Sequence, residues 1–504
     1  MKIKHILFSS LLPVSLTLIS CGEDNATTST QVNKPIMVEQ NTQNQPYNVI
    51  MIAVDDLNNW AGYLGGPAKT PNLDKLAAQS STFTNAYSVV PACNPSRVAV
   101  MTGQRPETTG AYLNETNFRD VKGGDKRVTI PQYFAKQGYK TSAAGKIFHH
   151  PRGQKNNPAP MSDPISWQSQ FAGPTGTGGD KEYLNHEGWA KWHGGIEAYQ
   201  GLPIIPYIRK HGIWGPIKQT DEETGDYKTA NYCANYLRQS HNKPFFLACG
   251  IFRPHSPQLA PQKYFDMYPL ESIKLPAVPA EDMQDIPAIA QNNWSSGFAK
   301  LVMDRPDEWK RAVQGYLAST SFADAMIGHI LQAWDNSEYA DNTILVLWGD
   351  HGFQLGHKNR WEKFTLWKQG SHTPFIIKAP GKQAAMINKP VTLLNVYPTL
   401  LELANLPAKP DLDGVSLTPL MDNAKADWQR PAVLTYQQDN NAIIFENWNF
   451  IQYKDGSQEL YNQTTDPHEY NNLIGQPQYA EVIEKLSEWL PEVKIAQTEY
   501  RPGG

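Results

Sequence analysis

An alternation of strand-like and helical segments between residues 47 and 404 constrains the fold most. Residues 47–54 are almost wholly apolar, as expected of a strand buried in a parallel sheet. Further strand-like runs lie at 140–144, 244–249, 343–348 and 374–378, and helical patterns at 71–78, 95–103, 230–238, 309–334 and 394–404. This alternation predicts an α/β fold with an open, mostly parallel central sheet flanked by helices.

The pattern changes after residue 410. Short strand-like segments at 432–436, 442–446 and 450–453 precede a helical pattern at 479–490. We therefore predict a large domain over residues 47–410 and a small C-terminal subdomain over 411–504, which combines an antiparallel sheet with a helix.

Composition excludes several classes of protein. Hydrophobic residues make up 40% of the 504-residue chain and charged residues 19%, which is unlike a disordered protein. The 45 basic and 49 acidic residues give a net charge of −4, which does not favour a nucleic-acid binder. Four cysteines are too few for a disulfide scaffold. A large globular protein remains, most simply an enzyme.

Residues 1–21 have the pattern of an export signal. Lys2 and Lys4 precede an apolar stretch that is too short to span a bilayer, and the segment ends at Cys21. This ending resembles the bacterial lipoprotein box, in which the cysteine is lipidated. The polar residues 22–46 predict a flexible tether. We expect an exported lipoprotein, anchored to the membrane in the periplasm or at the cell surface; an ordinary secretory signal is the alternative.

Acidic residues follow two of the predicted strands. The first strand leads directly into Asp55 and Asp56, and residues 343–348 lead through Gly349 into Asp350 and His351. Ligands of open α/β sheets bind beyond the carboxyl ends of the strands, and carboxylates suit Ca²⁺ or Mg²⁺. Either acidic group alone could instead cap a helix or form a turn, but the two together favour a metal site.

A cysteine motif lies between these segments. Cys93 opens the sequence Cys-Asn-Pro-Ser-Arg at the start of a predicted helix, where free amides and the helix dipole stabilise an anion. Arg97 follows one turn later and could face an anionic substrate. A lone cysteine is often a buried small hydrophobe, but the flanking Pro-Ser-Arg argues against that alternative.

Residues 93–97, with the Thr-Gly at 102–103, resemble the signature of type I sulfatases, in which the cysteine is converted to formylglycine. The resemblance extends from residue 48 to about residue 473 and implies an alkaline-phosphatase-like fold. It includes the segments 145–149, 253–255, 350–352, 459–461 and 466–467. The segments 145–149, 253–255 and 268–270 are most similar to the iduronate-2-sulfatase-like branch.

The resemblance also implies a metal site. A divalent ion, in this family usually Ca²⁺ although Mg²⁺ is possible, would be held by five residues: Asp55, Asp56, Cys93, Asp350 and His351. Family members more often carry Asn at the position of His351. Since Ca²⁺ prefers oxygen ligands, this departure leaves the identity of the ion open.

The implied reaction begins with hydration of the formylglycine at residue 93, which a maturation enzyme would generate. One hydroxyl of the hydrate attacks sulfur while the metal and three basic residues balance the charge of the sulfate oxygens. His255 would protonate the leaving sugar oxygen, and His149 would take the proton of the second hydroxyl, so that sulfate departs. The three basic residues are Arg97, Lys146 and Lys363. Without the resemblance, such lysines and histidines would be assigned to the surface or to structural hydrogen bonds.

Substrate recognition is less constrained. The segment 151–215 carries Trp167, Trp189, Trp192 and Trp214, which could stack on sugar rings or fix long loops in place. Three residues near the predicted site could contact a uronate carboxylate or a second sulfate: Arg253, His357 and Arg360.

Two cysteines remain, Cys233 on a predicted helix and Cys249 at the end of a strand. They could pair in an oxidising compartment, but their positions favour two free buried thiols.

We therefore predict a sulfatase that removes sulfate from a sulfated carbohydrate, an oligo- or polysaccharide. A phosphate or phosphonate ester hydrolase of the same superfamily and a non-catalytic lipoprotein that binds sulfated glycans are the alternatives.

Overall fold

The protein is built around one large sheet. A computed structural model describes residues 45–149, 162–171, 173, 214–291 and 295–497. The predicted export signal, nearly all of the predicted tether and most of the tryptophan-rich segment 151–215 lie outside these residues. None of the helices in the described part of the chain is long and apolar enough to cross a membrane.

The strands of the described residues are, in chain order, β1 (Asn48–Val54), β2 (Ser81–Phe83), β3 (Ala86–Tyr87), β4 (Lys140–Gly145), β5 (Ser169–Phe171), β6 (Trp214–Ile217), β7 (Phe245–Ile251), β8 (Gln258–Pro261), β9 (Thr343–Gly349), β10 (Gln354–Leu355), β11 (Trp361–Glu362), β12 (Phe375–Lys378), β13 (Ala385–Ile387), β14 (Val391–Thr392), β15 (Ala432–Thr435), β16 (Asn441–Phe445), β17 (Trp448–Gln452) and β18 (Gln458–Asn462). The α-helices are α1 (Pro71–Ala77), α2 (Cys93–Thr102), α3 (Pro106–Thr109), α4 (Ile130–Lys136), α5 (Gly225–Leu237), α6 (Gln262–Phe265), α7 (Ala288–Gln291), α8 (Ser295–Met303), α9 (Pro306–Asp335), α10 (Lys368–Ser371), α11 (Val396–Leu403), α12 (Thr418–Asp422) and α13 (Ala480–Ser487).

The main sheet has eight strands in the order β13-β2-β12-β9-β1-β7-β4-β5. The five strands from β9 to β5 run parallel to their neighbours, and β12 pairs antiparallel with both β9 and β2. Since β9, β1, β7 and β4 are adjacent and parallel, their carboxyl ends lie along one edge. This arrangement confirms the predicted mostly parallel α/β sheet.

Both faces of the sheet are covered. Ile50, Ile52 and Val54 of β1 pack into an apolar cluster with helices α5 and α9, while the alternate residues of the same strand pack with α2, α4 and α11 on the other face. Every residue of β1 is buried. A strand that is buried on both faces must be apolar at successive positions, which is why it could be recognised in the sequence.

The C-terminal part forms a second, antiparallel sheet in the order β15-β16-β17-β18. Helix α13 packs on this sheet through Leu486, which lies against Phe445, Phe450 and Leu460. The antiparallel sheet and the packing helix agree with the sequence prediction, although β18 was not predicted as a strand. A domain boundary at residue 410 remains a prediction.

The prediction of two free thiols at Cys233 and Cys249 was wrong. Cys233 on α5 and Cys249 on β7 form a disulfide, with their Cα atoms 6.4 Å apart. Both residues are fully buried because α5 packs directly on β7. Local sequence indicated that each cysteine is buried, but only the packing of the helix on the strand shows that they face each other.

Candidate active site

Four neighbouring strands of the main sheet end in polar residues at the same edge. Strand β1 leads into Asp55 and Asp56, and β9 leads into Asp350 and His351. On the other side of β1, strand β4 leads into Lys146, and β7 is followed two residues later by Arg253. The topology therefore brings together residues that are almost 300 positions apart in the sequence, as expected at the carboxyl edge of an open sheet.

Helix α2 places Cys93 over this edge. Cys93 is the first residue of α2 and is 1% exposed. Its Sγ lies 3.3 Å from His351 Nε2, 3.2 Å from Lys363 Nζ and 3.9 Å from Asp56 Oδ1. The free thiol of the described residues thus lies at a helix N-terminus and in contact with a base, a cation and a carboxylate.

Arg97 links the strand ends to one another. Its Nε donates to Asp350 Oδ2 at 2.9 Å, and its Nη2 donates to Asp55 Oδ1 at 3.1 Å. Its Nη1 donates to the Lys146 carbonyl at 2.6 Å. Since Arg97 is fully buried, these contacts hold β9, β1 and β4 at fixed positions around the thiol. We call the set the Cys93 cluster, and it comprises Asp55, Asp56, Cys93, Arg97, Lys146, Asp350, His351 and Lys363.

The acidic members of the cluster fit a divalent cation. Carboxylate oxygens of Asp55, Asp56 and Asp350 all lie within 4.8 Å of one another, as do ligand atoms of Cys93, Asp350 and His351. Asp56 Oδ2 is buried and has no hydrogen-bond partner among the described residues. The His351 Nδ1 lies 2.8 Å from the Gly352 carbonyl and donates to it, so that Nε2 faces the cluster, as in many metal-binding histidines. Burial lowers the pKa of His351, but Asp350 and Cys93 raise it further, to about 9, and a bound cation would take the place of the proton on Nε2.

The two adjacent aspartates differ in their electrostatic surroundings. Burial and the neighbouring charges of Cys93 and Asp55 raise the pKa of Asp56 to about 7, although Lys363 opposes this shift. Burial also acts to raise the pKa of Asp55, but Lys146 and other nearby cations outweigh it and hold that pKa well below its ordinary value. Asp55 is therefore matched by protein cations, whereas Asp56 carries the less compensated charge.

The electrostatic surroundings of Cys93 favour the anionic form. Burial raises the pKa of the thiol, but Lys146 and Lys363 lower it further than burial raises it, and the net shift is downward. Lys363 also donates to Asp56 Oδ1. The pocket around residue 93 is thus arranged to stabilise negative charge.

Two further predicted residues border the cluster. A ring nitrogen of His255 lies within 4.8 Å of both Cys93 and Asp56 ligand atoms, and His255 is only partly buried. His255 Nδ1 contacts the Ser256 carbonyl at 2.7 Å. Burial and the charge of Lys146 lower the pKa of His149 well below its ordinary value, so that its ring is neutral at physiological pH.

The three residues predicted to contact substrate are held differently. Arg360 is 2% exposed and donates to the carbonyls of residues 290, 291 and 359. Arg253 is fully buried and donates to the carbonyls of residues 255 and 259. Burial and His468 lower the pKa of His357 to about 4. The contacts given for the two arginines are with backbone carbonyls. Binding of substrate by the three residues stays a prediction.

Of the four tryptophans that could stack on sugar rings or fix long loops in place, two are described. Trp214 is 5% exposed and donates from Nε1 to Glu308 at 2.9 Å, and Trp167 is 9% exposed and packs near Phe148. Both therefore pack in the interior, whereas Trp189 and Trp192 lie outside the described residues.

Sequence reasoning missed one residue that supports the cluster. The Tyr316 hydroxyl, in the middle of α9, donates to the Asp56 carbonyl at 2.7 Å and accepts from the Asn58 amide at 2.9 Å. It therefore fixes the backbone on both sides of residue 57. A buried tyrosine in a long helix has no local signal that separates this role from ordinary packing.

Comparison with known proteins shows the family to which the chain belongs. The sequence model of the sulfatase family matches residues 47–406, and the model described as the C-terminal part of N-sulphoglucosamine sulphohydrolase matches residues 356–496. A sulfatase of Formosa agariphila is 35% identical over 491 residues, which cover 95% of this chain and 91% of that protein. Iduronate 2-sulfatase of Mus musculus is 31% identical over 413 residues, with 73% and 71% covered.

A solved structure resembles the fold as well. The crystal structure of phosphonate monoester hydrolase of Agrobacterium radiobacter superposes with a TM-score of 0.70 at 20% identity, over 88% of this chain and 94% of that one. At this identity the likeness concerns the fold alone. The match of one family model to most of the chain, together with extensive identity to sulfatases, is decisive: the chain belongs to the sulfatase family, whose members hydrolyse sulfuric esters.

Proposed function

We propose that this protein is a formylglycine-dependent sulfatase that removes sulfate from a sulfated oligo- or polysaccharide. The observation that carries the proposal is the position of Cys93, whose Sγ contacts Lys363 and His351 and lies 3.9 Å from the Asp56 carboxylate. Converted to formylglycine, residue 93 would supply a hydrated aldehyde as the nucleophile.

The charges of the cluster suit a sulfate ester. Three buried carboxylates face one buried guanidinium and two buried ammonium groups, so a bound divalent ion would add net positive charge to the pocket. Asp55, Asp56, Asp350 and His351 are the residues that would hold the ion, for which Ca²⁺ is the proposed identity and Mg²⁺ the alternative. When bound, the ion would supply positive charge for the sulfate oxygens. Arg97, Lys146 and Lys363 would orient those oxygens from the protein side.

Two histidines would move protons. Since the Ser256 carbonyl can only accept, its contact with His255 Nδ1 places a proton on that nitrogen and directs Nε2 away from it. A protonated Nε2 would donate to the leaving oxygen, which makes His255 the general acid. His149 is neutral because of burial and neighbouring cations, and would therefore act as the base.

A sugar substrate is supported by the names of related proteins. One relative is an iduronate 2-sulfatase, and the family model matched by residues 356–496 is described by N-sulphoglucosamine. Both names refer to sulfated sugars. Arg253, His357 and Arg360 remain candidates for the recognition of further anionic groups on the sugar.

The test compares 4-nitrophenyl sulfate, a 4-nitrophenyl phosphonate monoester and a panel of sulfated sugars. We expect kcat/KM for the sulfates to exceed that for the phosphonate, and we expect Cys93→Ala to lower sulfate release by at least about 1,000-fold. Mass spectrometry of the peptide around residue 93 should detect the aldehyde in protein from a host that carries the maturation enzyme. Faster turnover of the phosphonate, or full activity with an unmodified thiol, would overturn the proposal.

We also propose export and membrane anchoring through a lipid on Cys21. The apolar stretch before Cys21 and the polar residues after it support this localisation, and a buried disulfide between Cys233 and Cys249 suits an oxidising compartment. Wild-type protein should incorporate labelled palmitate and sediment with membranes. Cys21→Ala should do neither, and equal labelling of the two proteins would contradict the lipidation.

A further inference from the structure

Helix α5 is joined at two points to strand β7 and the residues that follow it. The first is the disulfide between Cys233 and Cys249. The second is the carboxylate of Asp226, in the first turn of α5, which accepts from the backbone amides of Phe252 at 3.0 Å and Arg253 at 2.9 Å. Asp226 is fully buried. The second joint lies two residues before His255.

The spacing of the two joints matches on both elements. Residues 226 and 233 are seven positions apart on the helix, a rise of about 10 Å. Residues 249 and 252–253 are three to four positions apart, which corresponds to at most about 10–13 Å of strand. Helix α5 therefore lies antiparallel along the end of β7 and holds it at both ends of this stretch.

Asp226 accepts backbone hydrogen bonds just beyond the end of strand β7, where the sheet no longer provides acceptors. Strand β7 ends at Ile251, whose carbonyl still accepts from the Asp55 amide. Beyond this point the chain leaves the sheet, and buried backbone amides need new acceptors. The two oxygens of Asp226 accept from two successive amides, those of Phe252 and Arg253.

The rest of the turn is built on these two residues. The His255 amide donates to the Phe252 carbonyl at 3.0 Å, and the Arg253 guanidinium donates to the His255 carbonyl at 2.8 Å. These two contacts of the His255 backbone thus come from residues 252 and 253. The position of the His255 ring beside Cys93 consequently depends on how firmly those two residues are held.

We propose that Asp226 is a positioning residue for the general acid. Through residues 252 and 253, helix α5 holds His255 in place beside Cys93. This inference rests on the proposed function, in which His255 protonates the leaving oxygen. A displaced general acid affects poor leaving groups more than good ones, because a stable phenolate leaves without a proton. Misplacement of a catalytic group by about 1 Å can cost about 100-fold in rate.

The test uses two substrates, 4-nitrophenyl sulfate and phenyl sulfate, whose leaving oxygens differ in basicity. Asp226→Asn keeps the size of the side chain but turns one acceptor into a donor that faces a backbone amide. Asp226→Glu keeps both oxygens and shifts them by one methylene. For each variant that folds, we expect kcat/KM to fall about 10-fold more for phenyl sulfate than for 4-nitrophenyl sulfate. Asp226→Glu keeps the test available if Asp226→Asn does not fold.

The matched control removes the other joint. Cys233→Ala with Cys249→Ala should lower the unfolding temperature and change both rates by the same factor, because this joint lies at the far end of the stretch. If the Asp226 variants also slow both substrates equally, or slow neither, Asp226 is only structural and the inference fails.

The variant His255→Ala tests the proposed role of His255 independently of Asp226. His255→Ala should show the same discrimination between the two substrates. If it does not, His255 is not the general acid and the proposed function of that residue fails first.

Discussion

Two of the regions in which the protein buries carboxylates surround them in opposite ways. In the Cys93 cluster, Asp56 has one oxygen without a hydrogen-bond partner among the described residues. In the C-terminal sheet, Glu459 of β18 is equally buried, but its oxygens accept from Trp367 Nε1 at 2.8 Å, from the Tyr453 hydroxyl at 2.6 Å and from the Tyr461 hydroxyl. We call these four residues the Glu459 cluster.

The difference distinguishes a carboxylate with an unpaired oxygen from one whose two oxygens both accept hydrogen bonds from the protein. Neutral donors satisfy Glu459 within the fold, so the Glu459 cluster joins Trp367 to strand β18 and to Tyr453, which directly follows β17. Burial raises the pKa of both carboxyl groups, that of Asp56 to about 7, so what distinguishes Asp56 is its unmatched oxygen. A buried polar group without a partner is costly, and its retention indicates that something outside the chain completes it.

The largest expected effect concerns metal binding at the Cys93 cluster. Free Ca²⁺ at 100 times its Kd should stabilise the wild-type protein by about 2.7 kcal/mol, because only the folded state holds the ligands together. Asp56→Asn loses a charge and one carboxylate oxygen, so it should lose most of this increase. Its activity should also fall by at least about 100-fold. Denaturant unfolding in Ca²⁺ and in chelator measures the first effect, and sulfate release the second.

Glu459→Gln is the matched control for this experiment. It alters a buried carboxylate of the other cluster, and the Ca²⁺-dependent increase in its free energy of unfolding should equal that of the wild type. An undiminished increase in Asp56→Asn would contradict the assignment of Asp56 as a metal ligand, whatever its activity.

The sequence predicted the strands that lie under the Cys93 cluster for a simple reason. Strands β1, β7 and β9 are buried on both faces, so each is apolar at successive positions and stands out from its polar neighbours. Residues at the ends of such strands are positioned by the sheet alone, and Asp55 and Asp350 could therefore be placed together before the structure was known. The cysteine motif added the helix that covers them.

Contacts between elements could not be predicted in this way. The direction of β12 depends on its pairing with β9 and β2, which leaves no local trace. The disulfide depends on the rotation of α5 against β7, and the pairing of Asp226 with the end of that strand depends on the same packing. Proximity in sequence does not determine such contacts either: Arg360 lies three residues from Lys363, yet it donates to carbonyls of residues 290 and 291.

The smaller expected effect concerns the Glu459 cluster. Glu459→Gln keeps the shape of the side chain but replaces one acceptor oxygen by an amino group that faces a hydroxyl donor. The tyrosine hydroxyls can rotate to accept, whereas the Trp367 indole can only donate, so we expect a loss of about 1–2 kcal/mol in the free energy of unfolding. Under conditions where the variant is folded, its kcat should stay within about 3-fold of the wild type, because Glu459 contacts no member of the Cys93 cluster among its described hydrogen bonds. A large fall in kcat with unchanged stability would show that the two regions are coupled. Glu459 could then no longer be described as a purely structural carboxylate, in contrast to Asp56.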